Sequence, residues 1–361
     1  MRNIDHDITT WKKKLLDLGK RNRLINFRET KRSNIKITSP GIEEIYKNLV
    51  IKEAKLSFPY VIVDAIDEGA EAELENTTLW GDLSTNRSMP EQQKTLASLR
   101  NKAKTAMEEQ GVNILYLSFG FLKWSENTDP DHSLLSPIVL VPVRLTLESI
   151  TSPYVLSLHE DEIVINPTLA YKLENDFGVT LPDFDEDEND LYDFLRRVKH
   201  IVNRNGWDVL FDVELGLLSF LKINMYKDLE RNTEVIKKHP ITKALTGDVR
   251  EIVTLSDGYD RYNHDQNTKP IDTYQVVDAD SSQQDAILYS KKGVSFILQG
   301  PPGTGKSQTI TNIIAEALAD GKKVLFVSEK MAALEVVHKR LSQAGLIDFC
   351  LTLHSHKANK K

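Results

Sequence analysis

Gln299-Gly300-Pro301-Pro302-Gly303-Thr304-Gly305-Lys306-Ser307 decides how the chain is read. The stretch satisfies G-x-x-x-x-G-K-[ST], the loop whose backbone N–H groups cradle nucleotide phosphates. Before it, Val294-Ser295-Phe296-Ile297-Leu298 is a short apolar run of strand type. After it, Ile310, Ile313, Ile314, Ala317 and Leu318 recur at helical spacing. Strand, glycine loop and helix thus come in the order that aims a helix N-terminus at an anion. The spacing predicts that Gly300, Pro301, Pro302, Gly303, Thr304, Gly305, Lys306, Ser307 and Gln308 surround a nucleoside triphosphate. Lys306 is expected to reach the β- and γ-phosphates, and the Ser307 hydroxyl to join the shell of a Mg²⁺ carried with the nucleotide.

Working downstream, Lys323-Val324-Leu325-Phe326-Val327 reads as a second strand, followed by Ser328-Glu329-Lys330. Leu334, Val336, Val337 and Leu341 mark the apolar side of a further helix, and Phe349 to Leu353 a third strand that ends at His354. Alternating strands and helices imply right-handed crossovers and a parallel sheet, with ligands beyond the carboxyl ends of its strands. The loop, Ser328 and His354 would all emerge at that edge. A metal pair at His354 and His356 lacks a nearby third ligand. Upstream stands Ser282-Gln283-Gln284-Asp285-Ala286-Ile287. An amide offers donor and acceptor together and fits the adenine edge, so Gln283 is a candidate selector of ATP over GTP. The competing reading is a polar residue at the start of a helix.

The 361 residues suffice for two or three domains. Hydrophobic content of 40% and charged content of 27% describe a globular chain, and a net charge of −7 argues against a uniformly basic nucleic-acid binder. The single cysteine, Cys350, excludes disulfides within the chain and cysteine-rich zinc sites. Without a signal-like start or a run of membrane-span length, a cytoplasmic location and no membrane partner are expected.

The N-terminal half changes periodicity several times. Thr9 or Thr10 is expected to cap a first helix with Ile8, Trp11, Leu15 and Leu18 on one side. Lys12, Lys13, Lys14, Lys20, Arg21, Arg23, Arg28, Lys31, Arg32 and Lys36 make a positive run. With Trp11 and Phe27 interleaved it is either a nucleic-acid surface or a solvated face over core aromatics. Helices are predicted at 41–49, at 89–110 before Gly111, from Asn166-Pro167 to Phe177, over 190–205 and, less regularly, over 217–229. Strands are predicted at 59–66, 114–124, 138–145 and 207–213, and Tyr154 to Leu158 with Glu162 to Ile165 as a further pair. The acidic stretches 67–75 and 183–193 read as surface, with a metal site at the second as the sharper alternative. Polar sequence from Ser256 to Pro270 reads as an interdomain connection.

Ser282 to Ile287, then Gln299 to Ser307 with Thr309-Ile310, resembles the Q-motif and motif I of superfamily 1 helicases of the Upf-like kind. Val327-Ser328-Glu329-Lys330-Met331-Ala332-Ala333-Leu334 sits where their motif Ia lies, and His354-Ser355 where motif Ib lies. By position, the resemblance gives Ser328, Lys330 and His354 contacts to single-stranded nucleic acid, DNA favoured over RNA. Trp11 to Leu18, Arg21-Asn22-Arg23-Leu24-Ile25-Asn26-Phe27, Gly120 to Trp124 and Asn166 to Ala170 resemble a domain of unknown function. That domain precedes the helicase core in large bacterial proteins, many with a terminal Vsr-like or restriction-type nuclease and some linked to defence against phage. The implied layout is a mixed α+β domain over 1–255, a linker over 256–272, and the first part of a RecA-like lobe with an incomplete parallel sheet over 273–361.

The departure from the helicase pattern is that no Asp-Glu pair follows a strand after Lys306, and no second lobe with its arginine finger is present. The chain is therefore expected to stop before the Walker B motif of a longer protein, with ATP turnover belonging to the full-length enzyme. Two alternatives stand beside this. One is an AAA+ ATPase, for which Gly-Pro-Pro-Gly-Thr-Gly-Lys is also typical; the other is a nucleotide- or nucleic-acid-binding fragment without turnover.

Overall fold

The computed structural model describes residues 4–59, 82–126, 133–149, 152–184, 190–248, 250 and 269–353. Most of the strand expected at 59–66, the acidic stretch 67–75, residues 185–189, most of the interdomain connection, and both His354 and His356 lie outside them.

The strands are β1 (Asn34–Ser39), β2 (Leu56–Ser57), β3 (Ser84–Thr85), β4 (Leu115–Trp124), β5 (Leu134–Thr146), β6 (Val155–Leu158), β7 (Val164–Ile165) and β8 (Asp208–Leu217). They form one antiparallel sheet in the order β2-β6-β5-β4-β8-β1-β3, with β7 also on β5. The two longest apolar runs pair with each other, β4 on β5 from Tyr116↔Pro142 to Trp124↔Leu134. Both are buried on both faces, which is why they read as continuous apolar runs rather than as alternation. The expected pairing of 154–158 with 162–165 does not occur. β6 and β7 each pair antiparallel with a different part of β5, so they run the same way and cannot form a hairpin.

The helices of this half are α1 (Ile4–Leu15), α2 (Ile42–Tyr46), α3 (Met89–Gln110), α4 (Pro167–Phe177), α5 (Leu191–Val202), α6 (Leu221–Arg231), α7 (Thr233–Lys238) and α8 (Pro240–Leu245). The Asn166 side chain accepts from Thr168 N and Leu169 N, capping α4 as its Asn-Pro signature requires. Thr9 and Thr10 do not cap α1. They sit inside it, their hydroxyls donating back to the carbonyls of Asp5 (2.7 Å) and His6 (2.9 Å), while Asp5 and Asp7 occupy the first turn.

Helices α3 and α5 cover one face of the sheet through Leu96, Leu99, Phe194, Leu195 and Val198. At Gly120 (φ 72°) the β4–β8 register slips by one, and a Cβ there would lie 2.5 Å from Leu195 Cδ2. Only glycine fits this bulge. The opposite face is covered by the Arg21–Phe27 segment, with Leu24 and Phe27 packed on Tyr116, Phe121 and Leu140. Three side-chain bonds hold it there: Ser136 Oγ to Ile25 O (2.5 Å), Trp124 Nε1 to Ser136 Oγ (2.8 Å) and Asn166 Nδ2 to Leu24 O (2.7 Å). Three of the stretches that carry the resemblance to the domain of unknown function, Arg21–Phe27, Gly120–Trp124 and Asn166–Ala170, therefore meet as one packing unit. Phe27 is core, 5.2 Å from the Phe121 ring, and is no platform for a nucleobase.

The second half contains α9 (Ser281–Lys291), α10 (Lys306–Ala319) and α11 (Met331–Gln343). Its parallel sheet is not formed: every pairing among the described residues is antiparallel and lies in the first half. Residues 294–300 and 323–327 carry no strand ladder, and Ile297, Leu325 and Val327 are 85%, 78% and 74% exposed. A strand is defined by a partner's hydrogen bonds, and none of these segments has one. No helix of the described residues is long and apolar enough to cross a membrane.

Candidate nucleotide-binding site

The loop Gly300–Gly305 enters α10 through Gly305, an N-cap in the left-handed region (φ 75°) with no capping side chain. No side chain caps the N–H groups of the first turn against an anion, although Gln308 N already donates to Gly305 O at 2.8 Å. Glycine is demanded at Gly305 by φ, and a Cβ there or on Gly300 would also displace side-chain ends. A Cβ on Gly305 would lie 2.3 Å from Gln283 Nε2 and 2.8 Å from Gln308 Oε1, and one on Gly300 2.5 Å from Thr304 Oγ1. The space a Cβ would take is thus filled by side-chain ends at Gly305 and Gly300 but stays open at Gly303 (φ 87°), and with an uncapped helix N-terminus behind it the loop fits a nucleotide's phosphates.

Lys306 folds back over the loop, its Nζ donating to Gly300 O and, at 2.8 Å, to Pro301 O. Phosphate oxygens are stronger acceptors than these carbonyls for an ammonium group. Ser307 is half-buried in the first turn of α10, its carbonyl taking the Thr311 hydroxyl at 2.7 Å. Among the described residues no cluster of three His, Cys, Asp or Glu side chains could hold a metal by itself. A metal here would depend on the nucleotide for most of its ligands, with Ser307 adding a hydroxyl.

Gln283 reaches the same loop from α9, Nε2 donating to Thr304 O at 3.1 Å. Its Oε1 accepts from Asp280 N at 3.1 Å while Asp280 Oδ1 accepts from Gln283 N at 2.8 Å, a reciprocal capping box. Both of its amide functions are engaged, so reading an adenine edge would require it to exchange two existing bonds. Structure thus joins Gln283 to the loop but also gives it a structural task.

Two residues that the sequence reading passed over hold the assembly together. Asn312, fully buried on α10, accepts at Oδ1 from Val276 N (3.0 Å) and Val277 N (3.1 Å) and donates from Nδ2 to Val277 O (2.9 Å). One turn on, buried Glu316 accepts from Tyr274 N and Lys291 Nζ, both at 2.7 Å. Burial alone would lower the Lys291 pKa, but the Glu316 carboxylate outweighs it and the net shift is upward. Residues 274–277, α9 and α10 are therefore stitched into one unit. The available signal was an amide and a carboxylate, Asn312 and Glu316, at i, i+4 in a helix rich in Ile, Ala and Leu.

Ser328 and Lys330 lie after the second extended segment. Ser328 Oγ accepts from Lys330 N at 3.3 Å, and the exposed Lys330 occupies the N-cap of α11. Met331, the next residue, abuts the Gly111 end of α3, where a Cβ would lie 3.2 Å from Met331 Cε. The motif Ia segment thus borders the N-terminal half.

Comparison with known proteins follows this division. Residues 14–173 match the family described as a protein of unknown function (DUF4011), and residues 278–360 match an AAA domain. A DUF4011-like segment is thus followed in this chain by a segment similar to an AAA domain. An uncharacterized ATP-dependent helicase, MG140, of Mycoplasma genitalium is 29% identical over 233 residues, 57% of this chain and 20% of the relative. Its Mycoplasma pneumoniae homolog is 27% identical over 232 residues with the same coverage. The DNA-binding protein SMUBP-2 of Mus musculus is 28% identical over 118 residues, 32% of this chain and 11% of that protein. The matched segment spans about a fifth of the Mycoplasma relatives. No solved structure matches. The DUF4011 match ends at 173, yet β8 at 208–217 lies between β4 and β1, so the sheet that contains this domain extends past its matched residues.

Proposed function

We propose that this chain is the ATP-binding front portion of a nucleic-acid-dependent ATPase of the superfamily 1 helicase type, acting on single-stranded nucleic acid, with DNA preferred. The observation that carries the reading is the meeting of Gln283 with the Gly300–Ser307 loop, through the bond to Thr304 O and against the Gly305 backbone. Two motifs separate in sequence converge on one loop. The ATP-dependent helicase names of the relatives and the AAA-domain match support the same assignment, and the DNA-binding name of SMUBP-2 supports DNA.

In this reading the N–H groups from Gly303 to Ser307 and the N-terminus of α10 bind the phosphates, with Lys306 exchanging its two loop carbonyls for phosphate oxygens. Mg²⁺ bound with the nucleotide supplies charge neutralisation at the β- and γ-phosphates, and Ser307 is the residue whose hydroxyl fits its shell. Gln283 orients the base, and Ser328, Lys330 and His354 contact the strand. The domain division is 1–255, 256–272 and 273–361, and the extended runs 294–298 and 323–327, unpaired among the described residues, would join a RecA-like parallel sheet in the full-length protein. Turnover belongs to the full-length protein, with the second lobe as partner; a nuclease domain and a defence role are further expectations of the same reading. The location is cytoplasmic.

Lys306→Ala in the full-length protein tests it. ATP hydrolysis stimulated by single-stranded DNA is expected to be abolished, and unchanged turnover refutes the assignment. The isolated chain is expected to bind ATP without hydrolysing it.

A further inference from the structure

The positive run of the N-terminal domain does not act as a unit in the folded protein. Lys20 pairs with Glu126 (3.8 Å) and Lys36 with Asp212 (2.7 Å). Arg23 is partly buried and stacked over the Phe27 ring. Lys13, Lys14 and Arg21 stay exposed on α1 and just after it, and Arg28, Lys31 and Arg32, also exposed, have no ion pair among the described residues. They share one turn, and its backbone is fixed from beneath. Thr30 N donates to Asn34 Oδ1 (2.8 Å), and Thr30 O takes Arg87 Nη2 (3.4 Å). Lys31 O takes the Thr95 hydroxyl (2.8 Å), Arg32 O the Ser98 hydroxyl (2.9 Å) and Ser33 O Arg23 Nη1 (3.3 Å).

Four consecutive carbonyls are thus turned inward while three cationic side chains remain outside. Lys94 and Lys102, exposed and also without an ion pair among the described residues, lie one helical turn either side of Ser98 on the same face of α3. Among the described residues of the turn and of this face of α3, Glu29 and Glu91 are acidic, against five cations. Such fixed spacing reduces the ordering cost of binding a polyanion of regular charge spacing.

We propose that the Arg28–Ser33 turn, with Lys94 and Lys102, is a phosphate-binding site for single-stranded nucleic acid in the DUF4011 domain. The proposal rests on the nucleic-acid reading above and extends it to a second contact. Helix α3 links the two places. Ser98 holds the turn and Gly111 touches Met331 of the motif Ia segment, a separation along the helix of about 20 Å at 1.5 Å per residue. A single strand running between them would span at most about six nucleotides, the number for full stacking at about 3.4 Å each, and fewer when extended.

Fluorescence anisotropy of the 361-residue chain with labelled oligo-dT, over a NaCl series, is the test. Each lost phosphate contact lowers the slope of log K against log[salt] by about 0.7 for single strands. Arg28→Gln/Lys31→Gln/Arg32→Gln is therefore expected to reduce the slope by about 2, and Lys94→Gln/Lys102→Gln by about 1.4. The gain in affinity between oligonucleotides of about 8 and about 16 nucleotides should vanish in the triple variant. All five side chains are exposed, so melting temperature and ATP affinity should match wild type and register any misfolding. A wild-type slope and length dependence in both variants overturns the site while leaving the nucleic-acid reading intact. Wild-type protein that binds no oligonucleotide overturns both. Binding to phosphatidylserine vesicles or to polyglutamate in place of oligo-dT assigns the turn to another polyanion and overturns the proposal.

Discussion

Replacing Gly305 by alanine separates the two demands that the nucleotide loop makes on its backbone. At φ 75° an alanine occupies the left-handed region, at a cost of roughly 1–2 kcal/mol. Its Cβ would also lie 2.3 Å from Gln283 Nε2, so the amide must leave Thr304 O, a bond worth about 0.5–1.5 kcal/mol. Whatever part of this cost the free loop escapes by rearranging returns as lost affinity, because binding must restore the cradle. The total, about 2–3 kcal/mol, corresponds to ATP affinity weakened roughly 30- to 200-fold. Gly303 has the same kind of φ, 87°, but open space around the added Cβ. Gly303→Ala should therefore bear only the backbone term, a loss of roughly 5- to 30-fold. Gly321, φ 70° and also open, lies past the far end of α10, and its alanine variant should lower stability without touching affinity. Calorimetric titration of each variant with ATP and Mg²⁺ measures all three. Affinity of Gly305→Ala no weaker than that of Gly303→Ala would show that Gln283 does not press on the loop.

Burial of Glu214 raises its pKa from 4.5 to about 7, against the opposing bond from Asn34 Nδ2. The folded state binds this proton more tightly than the unfolded state, so its stabilisation is fully present below pH 4.5 and is lost as pH rises through about 7. The span is worth on the order of 3 kcal/mol. Glu214→Gln should flatten the fall in denaturation midpoint between pH 5 and pH 8, and an unaltered fall would clear Glu214 of the effect. Gln283→Ala should reduce the preference for ATP over GTP by about tenfold if the amide reads the base. A constant ratio, with only the roughly 1 kcal/mol of a lost capping box, confines Gln283 to structure. Asn312→Leu strands two N–H groups and one carbonyl of residues 276–277, at about 2–4 kcal/mol in all. Proteolytic cleavage near residue 276 should accelerate, and unchanged resistance refutes the stitching role.

Helices with both ends marked were legible to the residue. Met89–Gln110 runs from the proline at its second position to Gly111, and Pro167–Phe177 from the Asn166 cap to Gly178. Both helices end at a left-handed glycine, and Asn166 caps α4 with its side chain, whereas Ser88 makes no such bond and the proline of α3 only removes one terminal donor. Pairing was less legible, because it depends on residues far away in sequence. Nothing within 154–165 reveals that β5 is long enough to take both β6 and β7 as partners. The positive run from Lys12 to Lys36 shows the same limit. Its charge was visible, but the pairing of Lys20 and Lys36 and the burial beside Phe27 come from Glu126, Asp212 and the sheet. In the nucleotide site, the loop and Gln283 were legible as motifs, whereas Asn312 and Glu316 act only on residues 274–277, α9 and the turns between them.

The contrast between the two halves explains how the loop keeps its shape without a ladder behind it. Local sequence specifies an extended apolar run equally well in β4 and in 294–298, but only β4 finds flanking strands, and its side chains are buried while Ile297 is bare. In the second half order is supplied by polar contacts between helices: Asn312 and Glu316 fix residues 274–277 and α9 to α10, and Gln283 carries that restraint to Thr304. The cradle is therefore positioned from the helix side, through groups whose hydrogen bonds fix direction as well as distance. Apolar packing of Ile314, Val337 and Leu341 adds cohesion between α10 and α11 but does not aim any donor. Loss of one polar stitch should thus displace the loop more than loss of one buried methyl group, a ranking that Asn312→Leu and Val337→Ala can decide by their relative effects on ATP affinity.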